Sequence, residues 1–227
     1  MNLIKSTGTF SFFTVISRLL GYVRDVWIAM FLGAGPIADV FFVAFRIPNT
    51  FRRLFSEGTF NAAFVPSYSS LLDKKKQSEN FANNIFNLLF LGLFFLVLII
   101  EILMPLFVFV IAPGFEGDSQ KMQLAITLTR ITFPFLLFIS LASFFSAILN
   151  SHNKFAIASG APIILNILLI GVLFFGKILD DQLVYYLSYA VTLSGVLQFI
   201  FLYFFTKKFF SLKLKLHIKI DEKVKKF

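Results

Sequence analysis

The sequence predicts an all-α integral membrane protein, built as a six-helix transmembrane bundle. Three observations carry that prediction. The 227 residues are 58% hydrophobic, with a mean hydropathy of +0.84, against about 45–50% apolar in soluble domains. The apolar residues gather near 3–32, 37–66, 83–112, 120–149, 157–177 and 182–206. A helical span needs roughly 20 such residues, whereas a barrel strand needs about 9–11 in alternation. The runs are too long for strands, and several imply tilt, kinks or extension past the bilayer.

Each run has its own punctuation. The first ends at Gly33-Ala34-Gly35-Pro36, a turn of two glycines and a proline. Gly21 and Pro48 are possible bend points in the first two runs, since glycine and proline mark kinked helices at membrane depth. Ser78 is placed to cap the third run. Ala112-Pro113-Gly114 stops it. Asp118 and Ser119 can cap the fourth run, and Asp180 and Asp181 the sixth. The first run is long and broken by Arg18 and Arg24. It reads as an uncleaved span, not a signal peptide.

Loop charge sets the expected orientation. Lys74, Lys75 and Lys76 follow the second run, and Asn150–Lys154 follows the fourth. Eight lysines lie from Lys207 onward, opposed by Asp221 and Glu222. The alternate loops are neutral, carry Glu116 and Asp118, or set Lys177 against Asp180 and Asp181. The positive-inside rule then puts the triple-lysine loop, the tail and both ends of this chain in the cytoplasm. The net charge of +9 thus reads as topogenic and as contact with anionic bilayer lipids. The lysines lack the aromatic interleaving of a nucleic-acid surface, so no nucleic-acid partner is expected. Without cysteine there is no disulfide, thiolate metal site or thiol nucleophile. His152 and His217 lack acidic partners, so neither metal nor cofactor is expected.

The informative anomaly is charge inside the first two runs. Arg18, Arg24 and Asp25 interrupt the first; Asp39, Arg46, Arg52, Arg53 and Glu57 interrupt the second. A charge at bilayer depth costs about 2.5–3.5 kcal/mol on insertion scales, and such residues face a protein interior or a water-filled cavity. Arg18 lies some fifteen residues into its run, about 22 Å along a helix. Asp39, Arg46 and Arg53 are spaced by seven and share a stripe, and Glu57 can pair with Arg53 one turn earlier. Arg18 and Asp25 are also seven apart. On straight helices Arg24 and Arg52 point elsewhere, and bends at Gly21 and Pro48 would bring them to the same cavity. A plainer reading lets Arg52, Arg53 and Glu57 snorkel at the cytoplasmic end of their helix. Arg130 can face the chamber or not, while Glu101 falls toward the outer interface. The excess of arginine suits a phosphate-bearing cargo, because guanidinium stays charged and donates in pairs to phosphate oxygens. The acids are suited to hold the arginines between cargoes.

Several stretches resemble the MurJ (MviN) family. They are "SRLLGYVRD" at Ser17–Asp25, "FLGAGPIAD" at Phe31–Asp39 and "FFVAFRIPNTFRRLFSEGTFNAAFVP" at Phe41–Pro66. Further matches are "ITFPFLLFISLASFFSAILNSHNKF" at Ile131–Phe155 and "GVLQ" at Gly195–Gln198. The resemblance implies one lobe of the fold shared by multidrug, oligosaccharide-lipid and polysaccharide exporters. It implies a flippase for lipid II, the undecaprenyl-diphosphate-linked peptidoglycan precursor, in a bacterial inner membrane. The family's functional arginines fall on Arg18, Arg24 and Arg52, and its functional acid on Asp39. Arg18, Arg24 and Arg52 are accordingly expected to bind the diphosphate. Asp25, Asp39, Arg53 and Glu57 are expected to position arginines or to gate.

Family members have fourteen spans in two lobes, so the resemblance makes 1–206 an N-terminal lobe. Residues 207–227 then form a basic cytoplasmic tail that starts the link to a C-terminal lobe beyond this chain. The expected mechanism is alternating access, not enzymatic catalysis; no clustered acid/base or phosphate-loop motif is present. Competing readings are an exporter of another lipid-linked oligosaccharide or of drugs, and a non-transporting membrane scaffold whose charges pair only with partner helices.

Overall fold

The computed structural model describes residues 3–57 and 59–214, with the side chains of residues 3–7, 47, 51–57, 59 and 181 outside that description. Among the described residues the secondary structure is helical, without strands. The helices are α1 (Leu3–Leu32), α2 (Pro36–Glu57), α3 (Thr59–Ser69), α4 (Lys75–Ile102), α5 (Met104–Ile111), α6 (Ser119–Thr132), α7 (Phe135–Ser151), α8 (Phe155–Gly160), α9 (Pro162–Phe174), α10 (Gly176–Leu179) and α11 (Leu183–Thr206).

The all-α membrane fold is as expected, but the count of six helices is not exact. Four described stretches are long and apolar enough to cross a membrane: Lys75–Ile102, Ser119–Ser151, Phe155–Phe174 and Leu183–Thr206. α1 and α2 fall outside that set because their charged residues lower their hydropathy. Proline accounts for the internal divisions. The α4–α5 break at Leu103 precedes Pro105, α6 gives way to α7 at Pro134, and α8 to α9 at Pro162. A proline removes one helical N–H and crowds the preceding turn.

Of the expected ends, the turn after α1 is as read, with Gly33 at φ 64°, a value glycine adopts without strain. Asp118 caps α6 by accepting from the Lys121 N–H at 3.0 Å, and α5 stops at Ile111 before Pro113. Two caps are corrected. α4 starts a turn earlier, at Lys75, so Ser78 lies within it and donates to the Lys75 carbonyl. α11 has Gln182 at its N-cap without a side-chain cap, and Asp180 belongs to the short 3-10 helix before it.

α7 is the central pillar. It packs on α2, α3, α4 and α11. The buried Phe144 ring meets Phe64 at 5.1 Å, Phe86 at 5.3 Å and Phe210 at 5.9 Å between centroids. α11 comes so close that a Cβ on Gly195 would sit 2.8 Å from the Phe135 ring. The first part of the basic tail, residues 207–214, is fastened to α4. Asn83 donates to the Ser211 carbonyl at 3.1 Å and accepts from the Lys213 N–H at 2.6 Å, while Asn87 donates to the Lys213 carbonyl at 3.1 Å. His152 stacks on Phe209 with centroids 4.4 Å apart and lies 3.5 Å from the Tyr68 hydroxyl. Burial pushes the His152 imidazole below its ordinary value. Burial, then the nearby Glu79 charge, raises the Tyr68 phenol to about 12.

Candidate functional site

α1 positions the site through helical spacing. Phe10, Thr14, Ser17, Gly21 and Arg24 follow one another at three- and four-residue steps and therefore share a face. Arg18 and Arg24 stand three residues before and after Gly21, about 60° to either side of it on an ideal helix. From these flanks the two long side chains both reach the cavity.

This face borders a cavity of about 460 Å³ walled by α1, α2, α3, α7, α8 and α9. Besides the two arginines and Thr14 and Ser17 of α1, its polar lining comes from Asn49, Asn61, Ser146, Asn150, Ser159 and Asn166. The charged groups among the described lining residues are both cationic. The cavity is therefore electropositive and rich in neutral hydrogen-bonding groups.

The two arginines are held differently. Arg24 Nε donates to Asp25 Oδ1 at 2.8 Å, and its Nη2 lies 2.7 Å from the same oxygen. Arg24 Nη1 donates to Asn166 Oδ1 at 2.8 Å. The Asn166 amide in turn donates to the Ser17 carbonyl at 2.9 Å, which ties α9 to α1. The guanidinium also lies 5.6 Å from the Phe45 ring centroid, within cation–π range. Its side chain is 13% exposed, against 61% for Asp25. Arg18 is exposed to the cavity and makes no hydrogen bond or ion pair among the described residues. One arginine is thus fixed in orientation and the other is available.

The remaining expected residues lie elsewhere or outside the description. Asp39 sits in the first turn of α2 and accepts from Lys121 Nζ at 2.8 Å. Its partner here is therefore a lysine of α6 and not an arginine. The reason is distance: Asn49, where α2 reaches the cavity, is ten residues on, about 15 Å along the helix. Lys121 is itself 4.3 Å from the Phe115 ring centroid. Arg52, Arg53 and Glu57 belong to the last turns of α2, and their side chains lie outside the described residues. Arg46 is exposed, and neither it nor Arg130 is among the cavity-lining residues.

Sequence reasoning missed Asn166 and the other amides. A signal for Asn166 was present: it is the lone polar side chain in the apolar run PIILNILLIGVLF of α9, and a polar group in such a run seeks a partner. Chemically, the cavity can take a small dianionic group. Arg18 can meet it directly, and Arg24 can exchange Asp25 for it.

A family model described as "Lipid II flippase MurJ" matches residues 28–227. A protein of Rhizobium tropici named "Probable lipid II flippase MurJ" is 42% identical over 209 residues, covering 89% of this chain and 39% of the relative. The chain thus spans about two fifths of the length of the curated relatives it matches. A solved structure titled "Lipid II flippase MurJ, inward closed conformation" is similar with a TM-score of 0.76 and 29% identity, over 93% of this chain and 44% of that one. An outward-facing multidrug transporter of the MATE family shares the fold, with a TM-score of 0.65 at 16% identity over 98% of this chain and 49% of that one.

Proposed function

The chain belongs to the MurJ family of lipid II flippases, and from that premise we propose that it forms the arginine-bearing lobe of a transporter. The transporter carries lipid II across the bacterial inner membrane for cell wall synthesis, by alternating access, and is not an enzyme. The observation that carries the proposal is the pair of arginines flanking Gly21 in the electropositive cavity, one fixed and one available.

The mechanism follows from electrostatics. A diphosphate entering the membrane loses its hydration, and buried charge needs compensation. Arg18 supplies it first, from its exposed place at the cavity. Arg24 is already desolvated and oriented by Asn166, so it is pre-organised for a charge-assisted bond. To bind cargo it gives up Asp25, which is exposed and can return to water; in the cargo-free state Asp25 takes Arg24 back. This exchange makes the site two-state, as alternating access requires. Arg52 contributes a third guanidinium. Asp39, with Lys121, and Arg53, with Glu57, act in gating at the two ends of the α2 segment. The lipid tail stays in the bilayer while the sugar-peptide head crosses, and a second lobe supplies the opposite wall. Both ends of this chain face the cytoplasm, on the side of Lys74–Lys76 and Lys154.

The test is headgroup translocation by the full-length protein in vesicles, with Arg18, Arg24 and Arg52 each changed to alanine. Charge-assisted hydrogen bonds are worth about 1.5–3 kcal/mol, so each change should slow transport by about 10–100-fold. Wild-type rates in all three would remove the arginine assignment. Competition by short-chain diphosphate lipids separates a lipid-linked cargo from drug export, since a drug exporter would be indifferent to them.

A further inference from the structure

A second, smaller cavity lies behind the arginine wall, where α8 gives way to α9. Pro162 has no N–H, so the Ala158 carbonyl one turn earlier loses its helical donor. The interruption falls within the apolar stretch Phe155–Phe174, and inside a membrane a freed backbone group must find another partner. Opposite, α11 presents Gln198, which is 1% exposed. Its Nε2 is buried and has no acceptor among the described residues. A buried amide donor left in that condition is costly. The cavity measures about 30 Å³ and is bordered by Ala158, Pro162, Ser143, Ser146 and Gln198. Roughly 10–15 Å³ by the same measure is enough for one water.

We propose that this cavity is a binding site for a water molecule that closes the α8–α9 joint. The water accepts from Gln198 Nε2 and donates to Ser143 Oγ and to the Ala158 carbonyl. Ser143 spends its own proton on the Ile139 carbonyl at 2.9 Å, which leaves its oxygen free to accept. Three partners are the ordinary complement of a buried water. Ser146, Ala158 and Pro162 border both cavities, so the site is a side chamber of the arginine vestibule and fills from it. The water site is independent of the cargo, being made by Gln198, the proline break and the shared wall.

The test is magic-angle-spinning NMR of the full-length protein in bilayers, reading magnetisation transfer from water to the side-chain amide protons. Gln198 should receive it as readily as Asn166, which borders the vestibule. Transfer to Asn166 without transfer to Gln198 would overturn the proposal. Ala142→Met fills the cavity from α7 and should abolish the Gln198 signal while the Asn166 signal persists; a Gln198 signal retained in that variant would also overturn it. Should the variant fail to fold, the wild-type spectrum decides alone.

Discussion

α1 and α7 face each other across the arginine cavity and bury opposite shares of themselves. On α1, Leu19, Tyr22 and Met30 are 61%, 71% and 74% exposed. On α7, Phe135, Phe144, Phe145, Ala147 and Leu149 are at 0%. α7 touches helices on several sides, while α1 rests chiefly on α8 and α9. The difference separates two tasks. α7 ties the helices together through interdigitated rings, whereas α1 leaves apolar side chains exposed and carries the charge of the cavity. Both arginines of the site therefore stand on a helix that packs on few others, while the buried core is centred on α7.

If that division holds, the largest effect belongs to the pillar. Phe144→Ala should cost about 3–5 kcal/mol, read by unfolding of the full-length protein in detergent, with transport falling only as far as folded protein is lost. Between helices in lipid the loss is one of packing, not of hydrophobic transfer. A stability like wild type would mean that α7 is not the pillar.

Arg24→Lys comes next and inverts the pattern. Lysine keeps the charge but not the planar fork that reaches Asp25 and Asn166 together. Transport should fall by about 10-fold, with unfolding nearly unchanged. Full transport by the lysine variant would reduce the site to a point charge. Asn166→Ala should have a milder effect. Loss of its hydrogen bond to Arg24, about 1 kcal/mol, predicts transport slowed by about 5-fold, and the Arg18-dependent part of transport should survive, as shown by a further drop in the Arg18→Ala double variant.

The smallest effect concerns neither helix but the contact beneath them. His152 is held below its ordinary value by burial, so the unfolded chain takes up a proton before the folded one does. The contribution of this contact to stability is present above about pH 6.5, the ordinary imidazole value, and is lost as pH falls through the lowered one. Tyr68, with its phenol near 12, stays neutral throughout. Unfolding temperatures measured against pH should decline more steeply below about pH 6.5 in the wild type than in His152→Phe, which keeps the stack on Phe209. Parallel curves would show that His152 does not titrate in this contact.

Much of the architecture was legible because it is local. Long apolar runs give helices, Gly33 and Pro36 end and restart them, and Asp118 caps α6 from three residues away. Ser78 misled because a cap is recognised by its geometry, and lysines can open a helix as well. The place of Arg18 and Arg24 was legible for an energetic reason: guanidinium in the middle of an apolar run has few tolerable surroundings besides a wet interior. Where the long runs divide was not legible, since prolines at 105, 134 and 162 permit either a kink or a division.

The amino-acid sequence by itself determined the helical lobe, the cationic character of its first two helices and the family likeness. All three depend on residue type and near-neighbour spacing. Only the tertiary structure decided that Arg24 is held by Asn166, 142 positions away, and that Asp39 answers to Lys121, 82 positions away. The buried Gln198 and the proline break meet in the same way. Spacing fixes which face a side chain occupies on its own helix, but which faces meet is set by how the whole bundle packs, and a polar group inside a membrane takes the partner that packing brings to it.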